Sequence, residues 1–429
     1  MNYQEAINYL YSKAPMFTKV GKSAYKANLN NSIQLDQYFK QPHKAYKNIH
    51  VAGTNGKGSV SHTIAAILQE AGYKVGLYTS PHLKDFRERI KINGIQISEN
   101  EVINFIEQHK KLIEELEPSF FEITTFLAFD YFKRQQVEIA VIETGLGGRL
   151  DTTNLIQPIL SIITNIGWDH ADLLGNSLQA IAKEKAGIIK KNIPIVIGEH
   201  QTDIDEIFVN QAENLDAPIF FASDNYYVKS SFITQNQLLQ LEVLKNREPY
   251  LPGLKFQLLG KYQINNVPTI LQATQILIEQ GLNITDANIY RAFKNIIDLT
   301  GLYGRWQILK HKPMVICDIG HNFPGLKWNL THLAEIKKEK LFFVLGFVKD
   351  KDIEKILSLF PTNAKYIFTQ ATIPRALPAD ELSKIASEKG IIGKSIPNVK
   401  KAYNYTLQQA QENDVVYIGG STFVVAEIL

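Results

Sequence analysis

One glycine-rich segment carries the residues that are best suited to binding phosphate. It follows the apolar run Ile49–Ala52 and consists of Gly53, Thr54, Asn55, Gly56, Lys57, Gly58 and Ser59. Glycines let backbone N–H groups converge on phosphate oxygens, and the helix predicted after the loop adds positive potential at its first turn. The spacing differs from the common Walker pattern, because a glycine instead of a hydroxyl residue follows Lys57. We therefore predict a phosphate loop whose lysine reaches the β- and γ-phosphates and whose metal-binding oxygen comes from elsewhere.

Three further polar residues follow predicted strands, where ligands bind in open α/β sheets. Ser80 comes directly after the second strand and could supply the missing metal oxygen. Glu143 ends the apolar run Ile139–Ile142, which is the place for a Walker-B-type carboxylate that binds Mg²⁺. His170 follows the strand Ile159–Thr164, and a single histidine there fits a metal ligand or a structural residue equally well.

Other charged residues give weaker signals. Lys185, in the segment Ala182–Ile188, is by itself typical of an amphipathic helix end with solvated charges. In the C-terminal half, Asp318 follows a predicted strand and could bind a ribose hydroxyl, and His321 could contact phosphate or substrate. Arg305 offers a guanidinium for phosphate. Together these residues place polar groups at the strand ends of a second domain.

The pattern of elements predicts an α/β fold. Short apolar runs alternate with amphipathic helical stretches nearly throughout, as in mostly parallel sheets with helices on both faces. Between Tyr226 and Leu244 polarity alternates with period two, which predicts an antiparallel hairpin, and two helices, Tyr262–Gln280 and Asp286–Ile297, follow. We predict a P-loop-type, mostly parallel N-terminal sheet domain with a small antiparallel subsheet (1–298). A smaller Rossmann-like α/β domain (299–429) follows it.

Composition excludes several classes of protein. The chain has 429 residues, 45% hydrophobic and 21% charged, which are ordinary values for a soluble globular protein. Its 46 basic and 43 acidic residues leave a net charge of +3, too small for a general affinity for nucleic acid. Apolar runs such as Leu341–Val348 are too short to cross a bilayer. With a single cysteine, Cys317, and no signal peptide visible at the N-terminus, we expect a cytoplasmic monomer without nucleic-acid or membrane partners.

Taken together and in order, these motifs resemble those of the folylpolyglutamate synthase/dihydrofolate synthase family, a branch of the Mur ligase superfamily. The resemblance covers nearly the whole chain. It rests on the phosphate loop and on segments 80–83, 88–90, 122–126, 145–154, 164–170, 184–188, 318–322 and 420–421. It implies an ATP-binding α/β domain joined to a Rossmann-like domain. It also implies an ATP-dependent amide bond, formed through an acyl phosphate, between dihydropteroate or folates and L-glutamate, with two Mg²⁺ sites.

The same resemblance implies a role for each matching residue. ATP is bound by Gly53 to Ser59 together with Asn266, Arg305 and Asp318. The pterin is held by Phe121, Glu122, Leu150, Asp151 and Thr152, and glutamate lies near His321 and Ser421. The metal sites match Ser80, Glu143, His170 and a carbamylated Lys185. The implied catalytic residues are Lys57, Lys185 and His321.

Several functions remain open on the sequence alone. The segment Ser80-Pro81-His82-Leu83 resembles bifunctional members and favours both dihydrofolate synthase and folylpolyglutamate synthase activity. Folylpolyglutamate synthase activity alone is the nearest alternative, and a Mur-type peptidoglycan ligase is a second one that the folate-type segments 122–126 and 145–154 disfavour. A nucleotide-binding regulatory protein that has lost catalysis would have broken ligands, whereas the phosphate and metal ligands are all present.

Overall fold

A computed structural model describes residues 1–14 and 28–429, which form two compact units. The first unit contains Met1–Gln257 and Gln263–Leu302, and the second contains Leu258–Tyr262 and Tyr303–Leu429. The sequence analysis places the short segment Leu258–Tyr262 in the first domain, whereas the structure groups it with the second unit. Within the described ranges, none of the helices has the length and apolar composition that crossing a membrane requires.

An eight-stranded sheet forms the centre of the first unit. Its strands are β1 (Lys47–Ala52), β2 (Val75–Tyr78), β3 (Ile90–Ile92), β4 (Ile95–Gln96), β5 (Ile139–Glu143), β6 (Leu160–Ile163), β7 (Ile195–Ile197) and β8 (Ile219–Phe221). Their spatial order is β4-β3-β2-β5-β1-β6-β7-β8, and only the pairs that involve β3 are antiparallel. Because β1 lies between β5 and β6, the glycine-rich loop leaves the sheet where the strand order reverses, which is the usual ligand position in such sheets.

Helices cover both faces of this sheet. The described helices of the first unit are Tyr3–Lys13, Asn30–Tyr38, Lys57–Glu70, Glu99–Leu116, Phe120–Arg134, Ala171–Leu174, Leu178–Ala186, Asp205–Glu213, Ala222–Asn225, Gln263–Glu279, Asp286–Lys294 and Ile296–Thr300, with single 3₁₀ turns at Pro42–Ala45, Phe86–Arg89 and Thr152–Leu155. The helix Lys57–Glu70 is buried from Ser59 to Leu68, because it packs between the sheet and three later helices. This burial on all sides fixes the position of the loop that precedes it.

The predicted hairpin is part of a three-stranded antiparallel sheet. Its strands are β9 (Tyr226–Ile233), β10 (Leu239–Lys245) and β11 (Glu248–Phe256), with β10 in the centre. The sequence prediction missed β11, because two prolines and Gly253 interrupt its alternating pattern. The single predicted helix Asp286–Ile297 is also wrong: two helices meet at Asn295, whose backbone leaves the helical region.

A buried lysine holds the last helix of the first unit. Lys91 of β3 donates hydrogen bonds to the carbonyl oxygens of Thr300 at 2.6 Å and Gly301 at 3.2 Å. Carbonyl groups at the end of a helix lack partners within the helix, and a lysine satisfies them well. Burial lowers the pKa of Lys91 to about 8. The short β3–β4 ribbon, which the sequence analysis did not predict, therefore anchors the residues that end the first unit.

The second unit has a six-stranded sheet of its own. Its strands are β12 (Gln307–His311), β13 (Met314–Cys317), β14 (Leu341–Leu345), β15 (Lys365–Gln370), β16 (Gly393–Asn398) and β17 (Val415–Gly419), in the order β12-β13-β17-β14-β15-β16. The pairs are parallel except β12 with β13. The accompanying helices are Phe323–Glu335, Ile353–Leu357, Ala379–Glu388, Val399–Gln409 and Thr422–Ala426. The predicted fold class, two α/β assemblies with a small antiparallel subsheet, is confirmed.

Candidate nucleotide and metal site

The glycine-rich loop is shaped by two glycines that no other residue could replace without displacing a neighbour. Gly53 has φ +148°, and a Cβ atom there would lie 1.8 Å from Thr164 Oγ1. Gly56 has φ +85°, and its Cβ would lie 2.3 Å from Asn266 Oδ1. Both glycines therefore meet a conformational and a steric requirement. The second contact also places Asn266, a predicted ATP ligand, directly against the loop.

The segment that follows β6 holds the loop in shape. Asn165 accepts two hydrogen bonds, one from the N–H of Thr54 to its carbonyl oxygen at 2.9 Å and one from the N–H of Asn55 to Oδ1 at 3.0 Å. Thr164 Oγ1 donates to the carbonyl of Asn55 at 2.5 Å, and the N–H of Gly167 donates to Thr54 Oγ1 at 2.9 Å. The sequence pattern predicts a strand end here, but it does not predict these hydrogen bonds to the glycine-rich loop.

Two lysines point their amines at one carbonyl of the loop. Lys57 Nζ donates to the carbonyl oxygens of Gly53 at 3.0 Å and Thr54 at 3.1 Å, and Lys185 Nζ donates to that of Gly53 at 2.8 Å. Lys185 is only 4% exposed, so the solvated-helix interpretation of this residue is wrong. Burial, and then the charge of Lys57, lower the pKa of Lys185 to about 7. The loop is thus a site of concentrated positive charge that suits an anionic ligand.

The two residues of the predicted first metal site lie together. Glu143, at the end of β5, is 3% exposed, and the N–H of Ser80 donates to its Oε2 over 3.4 Å. Among the described side chains, no group of three or more His, Cys, Asp and Glu gathers around a point that could hold a metal ion. Mg²⁺ commonly takes one or two protein carboxylates and completes its shell with water and phosphate oxygens. A single buried carboxylate near a phosphate loop therefore fits Mg²⁺.

His170 lies in the same segment as the residues that hold the loop. It follows Thr164 to Gly167 along the chain and has a left-handed backbone with φ +50°. Its Nε2 lies 3.8 Å from Asp169 Oδ1. The side chain is half-buried. A metal role for His170 stays a prediction.

Three of the predicted pterin residues, Phe121, Glu122 and Thr152, make contacts close to the end of β5. The ring of Phe121 packs against Gly145, where a Cβ would come within 2.5 Å of it. Glu122 accepts a hydrogen bond from Ser32 Oγ at 2.8 Å, and Thr152 Oγ1 lies 3.1 Å from the same hydroxyl. Ser32 is a buried residue that no sequence signal indicated. The structure thus links Glu122 and Thr152 through one serine.

Asp151 shapes the turn that follows β5. Its Oδ2 accepts hydrogen bonds from the N–H groups of Gly145 and Leu146, each at 2.9 Å, and its Oδ1 accepts one from Thr153 at 3.0 Å. Burial raises the pKa of the Asp151 carboxyl, and these hydrogen bonds act in the opposite direction. The carboxylate therefore positions the turn at Gly145 and Leu146. Leu150, which precedes Asp151 in the chain, is half-buried.

The segment that contains Ser80 is held by residues further along the chain. The carboxylate of Glu88 accepts hydrogen bonds from the N–H groups of Leu83, Lys84 and Asp85 at 2.6 to 3.0 Å. Arg89, which is 3% exposed, donates from Nε to His82 Nδ1 at 2.7 Å. Glu88 and the buried Arg89 are therefore positioning residues, a role that the sequence analysis did not assign to them.

In the second unit, the carboxylate of Asp318 is surrounded by donors. Oδ2 accepts from Tyr262 Oη at 2.7 Å and from the N–H of Trp306 at 2.8 Å. Oδ1 accepts from the N–H of Gly320 at 2.7 Å and from Asn329 Nδ2 at 2.8 Å. A carboxylate offers about four acceptor positions, so these donors occupy it fully. A ribose hydroxyl that binds Asp318 must replace one of them.

Of the remaining predicted residues of the second unit, Arg305 precedes β12, whereas His321 and Ser421 follow strands. Arg305 is half-buried next to Trp306. His321, after β13, has Nδ1 3.0 Å from the carbonyl oxygen of Ile319. Ser421, after the neighbouring β17, caps the helix Thr422–Ala426 by accepting from the N–H of Phe423 at 3.2 Å. Because β13 and β17 are parallel neighbours, His321 and Ser421 leave the same edge of the sheet.

The contact between Gly56 and Asn266 generates a prediction about nucleotide binding. A methyl group at residue 56 must displace Asn266, so Gly56→Ala should weaken ADP binding by about tenfold or more, measured by calorimetry. Gly72 provides a matched control, because it has φ +89° but no atom within 4 Å of its Cβ position. Gly72→Ala should carry the same backbone strain and leave ADP affinity unchanged. Equal affinities of the two variants would contradict the assignment of the loop.

Comparison with known protein families covers both units. The Mur ligase middle domain matches residues 51–273, and the glutamate ligase domain of Mur ligases matches residues 304–422. The first match contains the glycine-rich loop, Glu143 and Lys185. The second contains Asp318, His321 and Ser421.

Individual relatives align over nearly the full length. The dihydrofolate synthase/folylpolyglutamate synthase of Bacillus subtilis is 32% identical over 99% of this chain and 98% of its own. A structure of Escherichia coli FolC with DHPP and ADP superimposes with a TM-score of 0.84 at 26% identity, covering 100% of this chain and 97% of that one. A Yersinia pestis bifunctional folylpolyglutamate synthase/dihydrofolate synthase, complexed with AMPPNP and Mn, gives 0.84 at 27% identity with the same coverage. The chain therefore belongs to the dihydrofolate synthase/folylpolyglutamate synthase family of Mur-type ligases.

Proposed function

We propose that this chain is a bifunctional ATP-dependent amide ligase. It adds L-glutamate to dihydropteroate, and it adds further glutamate to folates. The observation that carries the proposal is the arrangement at the ends of β1, β2 and β5, where a glycine loop, two lysine amines and a buried carboxylate lie together. These are the groups that phosphoryl transfer from ATP to a carboxylate needs.

The first unit supplies the chemistry that activates the acceptor. A carboxylate is a poor electrophile, and transfer of the γ-phosphoryl group of ATP, which is a consumed substrate, converts it into an acyl phosphate. The N–H groups of the loop and the amine of Lys57 hold the phosphate oxygens and offset the charge that spreads over them during transfer. The hydrogen bond that Asn165 accepts from Asn55 and the one that Gly167 donates to Thr54 hold the loop in shape before the substrate arrives, so little reorganisation is needed.

As the resemblance implies, Ser80 and Glu143 would hold one Mg²⁺, and Glu143, His170 and a carbamylated Lys185 would lie around a second. Bound there, Mg²⁺ supplies positive charge to the phosphate oxygens. Carbamylation joins the neutral Nζ of Lys185 to CO₂ by an N–C bond, with release of a proton. The product is an anion next to the loop, which suits a metal ligand and replaces the repulsion between Lys57 and a protonated Lys185 by attraction.

The second step is attack by the amine of glutamate on the acyl phosphate, with loss of phosphate. The amine must be deprotonated at that moment, and His321 is our candidate for assisting this proton transfer. Phe121, Glu122, Leu150, Asp151 and Thr152 are the proposed pterin residues, with Asp151 acting through the turn at Gly145. Arg305 and Asp318 complete the proposed contacts with ATP, together with Asn266.

Domain roles follow from this assignment. We assign ATP and folate binding to residues 1–298 and glutamate ligation to residues 299–429, and we place the protein in the cytoplasm.

The buried thiol of Cys317, which burial keeps protonated by raising its pKa, supports a packing role for that residue. A peptidoglycan ligase is the weaker candidate, because the full-length relatives named above are folate enzymes.

The direct test is phosphate release by the purified chain with ATP, L-glutamate and an acceptor. Release should require all three, and it should occur with dihydropteroate and, separately, with a tetrahydrofolate. Release with tetrahydrofolate alone would remove the dihydrofolate synthase half of the proposal. If no pteroate or folate acceptor supports release, the ligase assignment fails.

Glu143 provides a test of the metal site. Glu143→Ala removes the buried carboxylate at the end of β5, so turnover should fall by about a hundredfold or more, while thermal unfolding shows a folded protein. Glu115→Ala is the matched control, since that carboxylate is 65% exposed on a surface helix and should leave turnover unchanged. A fully active Glu143→Ala variant would refute the assignment.

Lys185 provides a test of carbamylation. Protein equilibrated with isotopically labelled bicarbonate should show one carbamate carbon in its NMR spectrum, and Lys185→Arg should lack that signal and lose most of its turnover. Arginine keeps the positive charge but cannot form the carbamate, so the variant separates charge from modification. An unmodified Lys185 in an active enzyme would exclude the carbamate.

A further inference from the structure

The side chain of Gln201 holds the segment that shapes the glycine-rich loop. The N–H of Ile166 donates to Gln201 Oε1 at 2.8 Å, and Gln201 Nε2 donates to the carbonyl oxygen of Ile166 at 2.8 Å. Ile166 stands between Asn165 and Gly167, which are the two residues that make backbone and side-chain hydrogen bonds to the loop. Gln201 therefore fixes the backbone between two contacts on which the shape of the loop depends.

A carboxamide suits this position because it offers one donor group and one acceptor, as a peptide group does. β6 and β7 are parallel neighbours, and the N–H of Gly198 donates to the carbonyl oxygen of Ile163 at 2.8 Å where the two strands end. Three residues beyond Gly198, the side chain of Gln201 links the two chain segments again at Ile166. The glutamine thus extends the contact between two strands into their loops, at the edge where ligands of open α/β sheets bind.

The backbone of Gln201 is itself held in place. Its N–H donates to Asp205 Oδ1 at 2.8 Å, and its carbonyl oxygen accepts from the N–H of Asp205 at 3.1 Å. Asp205 Oδ2 lies 2.7 Å from His200 Nδ1, and His200 Nε2 lies 2.8 Å from Asp224 Oδ1. These contacts hold residue 201 against the first turn of the helix Asp205–Glu213, so the carboxamide reaches Ile166 from a fixed position.

We propose that Gln201 is a positioning residue for nucleotide binding, which acts through Ile166 on the glycine-rich loop. Without its two hydrogen bonds, a partly buried N–H and carbonyl group lose their partners, and Asn165 and Gly167 are free to shift. The loop then has to be ordered when the ligand binds, which weakens binding. The ligand class is a nucleoside di- or triphosphate. The inference rests on the proposed function, because that function assigns the loop to ATP.

The test measures ADP binding by calorimetry and steady-state kinetics on the full chain. Gln201→Met keeps the length of the side chain but removes both hydrogen bonds, so the Kd for ADP and the KM for ATP should each rise by about tenfold. The KM values for the folate acceptor and for glutamate should stay unchanged, because these substrates do not bind the loop. At saturating ATP, kcat should change little.

Gln257→Met is the matched control. Gln257 is also half-buried in the first unit, and its Oε1 accepts from the N–H of Ile297 at 2.8 Å. The substitution removes a comparable contact between a carboxamide and the backbone. It should lower the melting temperature about as much as Gln201→Met does and leave the Kd for ADP unchanged.

A second variant, Gln201→Glu, keeps the shape of the side chain and the acceptor, but as a carboxylate it cannot donate to Ile166. Its Kd for ADP should rise as well. An unchanged Kd for ADP in a folded Gln201 variant overturns the inference, and so does an equal rise in Gln257→Met or a rise in the KM of all three substrates together. If the unmodified chain binds ADP but releases no phosphate with any acceptor, the proposed ligase function fails, whereas the ADP measurement still decides the role of Gln201.

Discussion

The close approach of Gly53 to Thr164 is the constraint on which the first unit's site depends. Without a Cβ at residue 53, the end of β1 lies directly against the end of β6. Thr164 is enclosed on its other side as well, because a Cβ on Gly198 would lie 2.1 Å from its carbonyl oxygen. Two glycines thus let the ends of β1, β6 and β7 pack tightly, and the loop takes its shape from that packing. A phosphate loop built this way needs few side chains, since its donors are backbone N–H groups.

Buried charge is the second feature that the structure has to stabilise. Glu143, Lys185 and Asp151 are each 5% exposed or less, and an uncompensated buried charge is costly. Hydrogen bonds offset this cost: Asp151 accepts them from backbone N–H groups, and Lys185 donates one to a carbonyl oxygen of the loop. Such groups are retained where a ligand of opposite charge or a metal completes the site. In this chain Glu143 ends β5, as the sequence pattern predicts, whereas Asp151 caps a 3₁₀ turn and Lys185 lies on the helix Leu178–Ala186.

The sequence predicts the buried parallel strands and the ligand-binding edge well, because apolar runs that end in glycine or a carboxylate have few alternative structures. It predicts other parts poorly, for identifiable reasons. The helix Phe120–Arg134 combines aromatic and β-branched residues, which are poor helix formers, and burial in the core stabilises it together with the capping box of Ser119 and Glu122. The burial of Lys185 and the full occupation of Asp318 depend on residues far away in the chain. Ser32 lies in no recognisable motif, so only the fold shows what it contacts.

The proposed reaction requires the loop at Gly53 to Ser59 to hold ATP while a pteroate carboxylate is phosphorylated. The most direct measurement uses dihydropteroate whose carboxylate carries isotopically labelled oxygen, with ATP and L-glutamate. An acyl phosphate passes one of those oxygens to the departing phosphate, so we expect labelled inorganic phosphate in step with amide formation. Amide formation with unlabelled phosphate would contradict it, because the carboxylate would then have been activated in another way.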